Sequence, residues 1–288
     1  MEKKSKIDGF TNVERKTLQT QYLDKNIGKK INYKNVHSFK ECYFGLIEYI
    51  ERVAKTNFEV VFTDEKGKEH TKLFEAPKMV KVSPYLLRGY SCLDYGCSKC
   101  CWFHGFVNIF SEEEYLEILE KYPEKKAEFD RYEPFTSVIG GEVRTMYKYD
   151  HRDHICQHIV TGEINGCSIH QLNPLHCAFP LMKFSRKGDV VNVIRQAFGR
   201  NHMSLKCPVE FIEPNESIYN YTIELLTRTH KMAQAYNIET WVPEIIEKVN
   251  ELWTKPEEYK NKMGKEVNEK VVYDGESFED FMKGNVSE

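Results

Sequence analysis

Four cysteines fall within ten residues, Cys92-Leu-Asp-Tyr-Gly-Cys97-Ser-Lys-Cys100-Cys101, and four more follow at Cys156, Cys167, Cys177 and Cys207. Only Cys42 lies outside this block. Thiols packed so closely oxidise and mispair unless a soft metal holds them, and the soft-ligand candidates are zinc and iron–sulfur clusters. Cys97-Ser-Lys-Cys100 is a knuckle that turns two sulfurs to one side. Cys92 adds a third through a wider loop, where Gly96 is free to take a positive φ. Neighbouring Cys100 and Cys101 fit a metal site better than a disulfide, because bonding adjacent cysteines strains the backbone. A single zinc ion uses at most four thiolates. Eight therefore fill two sites, or one cluster with structural cysteines to spare. The surplus favours an iron–sulfur cluster, [4Fe–4S] first, over zinc.

The bulk properties set the context for those thiols. A chain of 288 residues makes one large domain or two modest ones, and 41% hydrophobic residues suffice for a folded core. A formal charge of -3 gives no global attraction to nucleic acid or acidic lipid. The opening Met1-Glu-Lys-Lys-Ser-Lys lacks the apolar core of a signal peptide. No stretch approaches the roughly 20 apolar residues of a membrane span. The expectation is a cytoplasmic protein without membrane attachment, where clustered thiols are reduced and ligate metal rather than form disulfides.

Other residues could join the chemistry. His104, just after the cysteine pair, is the leading non-cysteine ligand candidate. His151, His154 and His158 are spaced to share a helical face as ligands or acid–base groups. The favoured alternative is a polar surface leading into Cys156. Between Lys183 and Lys206, six basic residues (Lys183, Arg186, Lys187, Arg195, Arg200, Lys206) face one acid, Asp189. They could hold a phosphate or a nucleic-acid backbone, but a solvated hairpin explains them as well. No glycine-rich phosphate loop is present, and no Ser-His-Asp constellation stands out. The C-x4-C-x2-C spacing also occurs in plant-type ferredoxins, which differ in loop composition. A radical-S-adenosylmethionine motif needs three residues in the first gap, where this chain has four.

Cys167-Ser-Ile-His170 with Pro174, Cys177, Phe179 and Pro180, together with the early quartet and Cys207-Pro208, resembles the YkgJ-like cysteine-cluster family of zinc- or iron-chelating proteins. The resemblance covers residues 88–212. It implies that Cys92, Cys97, Cys100, Cys101, Cys156, Cys167, Cys177 and Cys207 are the metal ligands, and that His170 packs beside the metal. The first gap holds four residues where the family pattern holds two. A wider gap is similar to the flagellin lysine N-methylase branch, which implies a [4Fe–4S] cluster and methyl transfer to protein lysines. That branch has three residues before the Cys-Cys pair, and this chain has two.

The elements that must position these residues are legible in part. Thr11 to Leu23 suggests a short helix. Ser38-Phe-Lys-Glu41 reads as a capping box opening a helix whose Phe39, Tyr43, Leu46, Ile50 and Val53 recur at the helical period. Cys42 falls off that stripe and reads as a small structural residue. Phe58 to Thr63 and Thr71 to Phe74 read as strands joined by Asp64-Glu-Lys-Gly67. Trp102 to Phe110 reads as a buried strand or turn. Ser111 caps a helix carrying Tyr115, Ile118, Leu119 and Tyr122, which Pro123 ends. Its first-turn glutamates suit the helix dipole. Glu142 to Tyr149 and Val190 to Phe198 have strand character, and Cys156 and Cys167 flank a hairpin turning through Thr161 to Gly166. Two helices close the pattern. One opens at Pro214 with Ile218, Tyr221, Leu225 and Met232; the other opens at Pro243 with Ile246, Val249 and Trp253.

The expected fold is α+β: a loop-rich, metal-stapled cysteine core between an N-terminal helix and hairpin and C-terminal helices. The expected segments are 1–87, 88–212, 213–254 and a charged tail at 255–288. Three functions are carried forward. The first is a metal-binding protein holding an iron–sulfur cluster or zinc through the eight cysteines. The second is a modification enzyme with that cluster at its active site, acting on a protein or small-molecule substrate. The third is a zinc module presenting the basic hairpin to a nucleic-acid or protein partner.

Overall fold

A computed structural model describes residues 30, 36–87, 89–90, 107–161, 166–169, 174–178, 182–195, 211–212, 214–255, 272–273 and 276–277. Cys92, Cys97, Cys100, Cys101, His104, His170 and Cys207 lie outside the described residues, as does the expected helix at 11–23.

Helix α1, Phe39–Glu51, starts where its local chemistry dictates. The Ser38 hydroxyl accepts from the Glu41 N–H at 3.2 Å, and the Glu41 carboxylate accepts from the Ser38 N–H at 2.7 Å. This reciprocal pair satisfies two donors that a helix start otherwise strands. The helix buries Phe39, Tyr43, Leu46, Ile47 and Ile50, each worth about 1.5–3 kcal/mol when fully withdrawn from water.

Strands β1 (Phe58–Thr63) and β2 (Glu69–Phe74) form the expected hairpin. Asp64 caps its turn by accepting from the Lys66 and Lys68 N–H groups, and Gly67 takes a φ of 75°. After β3 (Met79–Val82), a single 3₁₀ turn (Pro84–Leu87) leads into the short β4 (Gly89–Tyr90). Strand β5 (Val107–Ser111) is buried along its whole length and runs into α2 (Glu112–Lys121), which a second capping box, Ser111 with Glu114, begins. Pro123 ends α2, and the short α3 (Lys126–Phe129) precedes β6 (Glu133–Ile139) and β7 (Glu142–Asp150). The chain continues through β8 (Ile159–Val160), β9 (Gly166–Cys167), α4 (Leu175–Ala178), β10 (Met182–Lys187), β11 (Val190–Arg195) and β12 (Phe211–Ile212). Helices α5 (Glu216–Ala235) and α6 (Val242–Thr254) pack against each other.

The fold is α+β. A five-stranded antiparallel sheet runs β2-β1-β6-β7-β5, and a three-stranded sheet runs β10-β11-β3 with β11 and β3 parallel. Because β1 pairs with β6 and β3 with β11, both sheets run across residue 88. One main core gathers α1, β1, the inner residues of β5, and the faces of α5 and α6. A smaller aromatic core holds Phe110, Tyr115, Ile118, Phe129, Tyr132 and Ile169. Strand β5 divides the two by its pleat: Val107 and Ile109 enter the main core, and Phe110 enters the aromatic one.

Two expectations about faces are corrected. In α6 the buried stripe is Val242, Ile245, Val249 and Leu252, while Ile246 and Trp253 flank it partly covered. In α5 the face includes Thr222 and Thr229, whose hydroxyls return to the Ile218 and Leu225 carbonyls. Among the described residues no helix is long and apolar enough to cross a membrane.

Candidate metal centre

The pleat that sends Val107 and Ile109 inward sends Asn108 to the other side, where it is 2% exposed. Two of the eight cysteines meet its side chain. The Asn108 Nδ2 donates to Cys156 Sγ at 3.7 Å, and Cys177 Sγ donates to Asn108 Oδ1 at 3.6 Å. Sulfurs 21 positions apart in sequence thus touch opposite ends of one carboxamide. Cys156 Sγ also accepts the backbone N–H of His158. Burial nonetheless pushes the Cys156 thiol up, and these two donors offset only part of that effect. An anionic sulfur here costs desolvation that a bound cation would relieve.

Cys167 arrives by the β8–β9 pairing, opposite Ile159, with the Ser168 N–H bonded to the His158 carbonyl at 2.8 Å. It packs on the rim of the aromatic core. Cys177 is carried by α4, and the first N–H of that helix, Leu175, donates to Glu114 Oε1 at 3.3 Å. Glu114 also accepts from Arg228 Nη2 at 3.0 Å. Burial is the largest influence on Glu114 and raises its pKa, against the pull of Arg228. Glu114 therefore does more than suit the helix dipole: it ties α2, α4 and α5 together behind Cys177.

The three histidines form no shared helical face, because residues 151–158 are turn and isolated bridge. Two of them are not a polar surface either: His151 is 0% and His158 2% exposed. His151 Nε2 lies 3.3 Å from Asn108 Oδ1, to which only an N–H can donate. His158 Nε2 meets the Tyr132 hydroxyl at 2.8 Å, and Tyr132 in turn hydrogen-bonds Asn108. Burial pushes the His158 imidazole down to about 4. Its Nδ1 faces Glu128 Oε2 at 3.4 Å, a contact too poorly aligned to count as a hydrogen bond. His154 is half-exposed and held by Tyr149 and Asp153.

Cys42 has the structural setting expected of it. It packs against the main core, accepts the Val107 N–H at 3.4 Å, and is pushed up to about 11 by burial. Of the basic run, Arg186 turns inward onto Glu51 at 2.9 Å and the Glu75 carbonyl, while Lys187 is exposed.

Among the described residues, no three His, Cys, Asp or Glu side chains converge closely enough to hold a metal ion. Cys156 and Cys177 meet on the Asn108 side chain, Cys167 packs against the aromatic core, and the other five of the eight cysteines lie outside the described residues. Asn108 and Tyr132 were not singled out from the sequence. The available signal was an asparagine inside the apolar run Phe106-Val-Asn-Ile-Phe110, where a polar group requires a buried partner. Comparison with protein-family models, curated proteins and solved structures gave no match to this chain.

Proposed function

We propose that this chain is a cysteine-cluster metal protein whose thiolates hold an iron–sulfur cluster, with zinc as the alternative occupant. The observation that carries the reading is the meeting of Cys156 and Cys177 on one buried carboxamide. The donor set fits the group: soft sulfurs, N–H donors aimed at one of them, and burial that disfavours a bare anion. Chain connectivity adds support. Cys101 precedes Val107 by six residues, a stretch spanning at most roughly 20 Å. Cys92 follows Tyr90 by two residues, Cys207 precedes Phe211 by four, and Tyr90 pairs with Phe211. The short ladder β4–β12 therefore joins the described residues that flank the cysteine block on either side.

The residues that would hold the group are Cys92, Cys97, Cys100, Cys101, Cys156, Cys167, Cys177 and Cys207. When bound, a [4Fe–4S] cluster supplies electron transfer or a Lewis-acidic iron, and zinc supplies folding energy alone. The protein's own part is to bury the sulfurs and aim donors at them. Arg186, spent on Glu51, detracts from a basic hairpin that reads nucleic acid. The test is anaerobic purification followed by iron, zinc and acid-labile sulfide analysis. Iron with sulfide supports the cluster and zinc supports the structural alternative, while a folded protein without either overturns both. S-adenosylmethionine binding by calorimetry decides whether methyl transfer is pursued.

A further inference from the structure

Strand β1 reads Phe58-Glu-Val-Val-Phe-Thr63, and its two adjacent valines point to opposite faces of the sheet. Val60 is buried in the main core with α1, while Val61 looks outward. The strand registers set Val61 in a row that crosses four strands: Thr71 on β2, Val61 on β1, Val138 on β6 and Val143 on β7. Leu73 stands two residues along β2 from Thr71, on the same face. Val143 is 71% and Leu73 56% exposed, and Thr63, Thr71 and Thr136 around them are exposed as well. An antiparallel sheet that meets water on one side normally turns polar residues to it. Strand propensity favours valine and threonine at such positions but gives no reason for a leucine.

The same face is roofed at its other end. Tyr147 of β7 stacks on Tyr115 of α2 with ring centroids 3.8 Å apart, and Phe110 of β5 lies with Tyr115 in the aromatic core. A helix laid on the sheet is thus how this face is covered where it is covered, and the exposed side chains of β2, β1 and β6 leave the opposite end open. Charge chooses the occupant. The charged residues that these strands turn to the open face are Glu59 and Glu69, both exposed. The bases Lys72, Arg144 and Lys148 alternate to the other face. Beside the opening, α2 carries exposed Glu113, Glu117 and Glu120 around an exposed Leu116, against one base, Lys121. Four strands span about 14 Å, enough to seat one helix of about 10 Å diameter. We propose that the open face of the five-stranded sheet is a docking surface for a basic amphipathic helix of a partner protein. The apolar stripe of that helix lies on Val61, Leu73, Val138 and Val143, and its lysines or arginines reach Glu59 and Glu69. The inference is independent of the metal reading.

The experiment pans the full chain against a displayed library of helices about 18 residues long, with leucine fixed along one stripe and every other position random. Enriched peptides are then titrated by fluorescence anisotropy against wild type, the double variant Leu73→Thr with Val143→Thr, and the double variant Glu59→Gln with Glu69→Gln. Threonine keeps strand propensity at these exposed positions, and urea midpoints confirm that both variants fold. The expected result is enrichment of lysine and arginine at the random positions. Binding to the threonine variant should be about tenfold weaker, and binding to the glutamine variant should depend less on salt. No enrichment, enrichment of neutral or acidic helices, or peptides that bind either variant as they bind wild type overturns the inference. A benzophenone side chain in place of Val143 that crosslinks, with no peptide present, to a second copy or to another segment of the same chain overturns it as well, by giving the face a different occupant.

Discussion

Replacing Glu114 by glutamine removes a single charge while preserving size, helix propensity and a residue type that a capping box accepts. The charge is heavily engaged. Glu114 Oε1 takes Arg228 at 3.0 Å and the Leu175 N–H at 3.3 Å, while Oε2 takes the Ser111 N–H at 3.3 Å. A glutamine has one oxygen for these two positions, so its NH₂ must oppose a donor whichever way it turns. Burial already disfavours the carboxylate charge, so the cost comes from the buried donor left without an acceptor, about 1–3 kcal/mol. The side chains here are 11% and 16% exposed, too dry for water to replace that acceptor, so about 1–3 kcal/mol is expected. Urea unfolding at neutral pH measures it directly, and each kcal/mol moves Tm by roughly 2–4 °C in chains near this size. Arg228→Met should cost a similar amount. The double variant should recover much of the loss, because an apolar pair avoids desolvating two ions. There is also a pH signature. Burial raises the Glu114 pKa, so the folded state holds its proton to higher pH than the unfolded state does. Stability from this group therefore falls as pH rises from the ordinary glutamate value through the raised one. The wild type should gain on Glu114→Gln as pH is lowered across that window. A cost below about 1 kcal/mol, or strictly additive single variants, would refute the reasoning.

Three further outcomes follow from the same geometry. Ser111→Ala removes the buried N-cap of α2 and should destabilise the protein by about 1 kcal/mol, read as a lower urea midpoint with unchanged m-value. The Asp64 carboxyl, held down to about 2 first by the His70 ring at 2.8 Å and then by the Lys68 N–H, should titrate there by carbon NMR. In His70→Ala it should move up toward the ordinary carboxylate range, and an unmoved midpoint would sink this assignment. Gly67→Ala should lower the urea midpoint, because its φ of 75° strains any residue with a Cβ even where space is open.

Local chemistry was legible in the sequence wherever an element is decided by its own residues. Ser38 with Glu41, Ser111 with Glu114, and Asp64 through Gly67 each announce a boundary because the partners are three residues apart. Strand β6 was missed: Pro134 weakens its pattern, and its existence depends on β1 and β7, distant in sequence. The α6 stripe slipped because Ile245 and Ile246 are equivalent on paper, and only the surrounding core chooses between them. Histidines 151 and 158 looked solvated because their spacing is polar. The aromatic residues that bury His158, Phe129 and Tyr132, come from an earlier stretch of chain. Of the site, the cysteine types and spacing could be read, but the carboxamide that joins two of them could not. A contact between Asn108, Cys156 and Cys177 leaves no periodic trace.

Metal content decides the matter most directly. The full-length chain, isolated and kept without air or chelator, should carry iron with acid-labile sulfide, or failing that zinc, and Cys156→Ser should lower the bound metal per folded chain. Protein that is fully folded by calorimetry yet contains neither metal would contradict the account at its root.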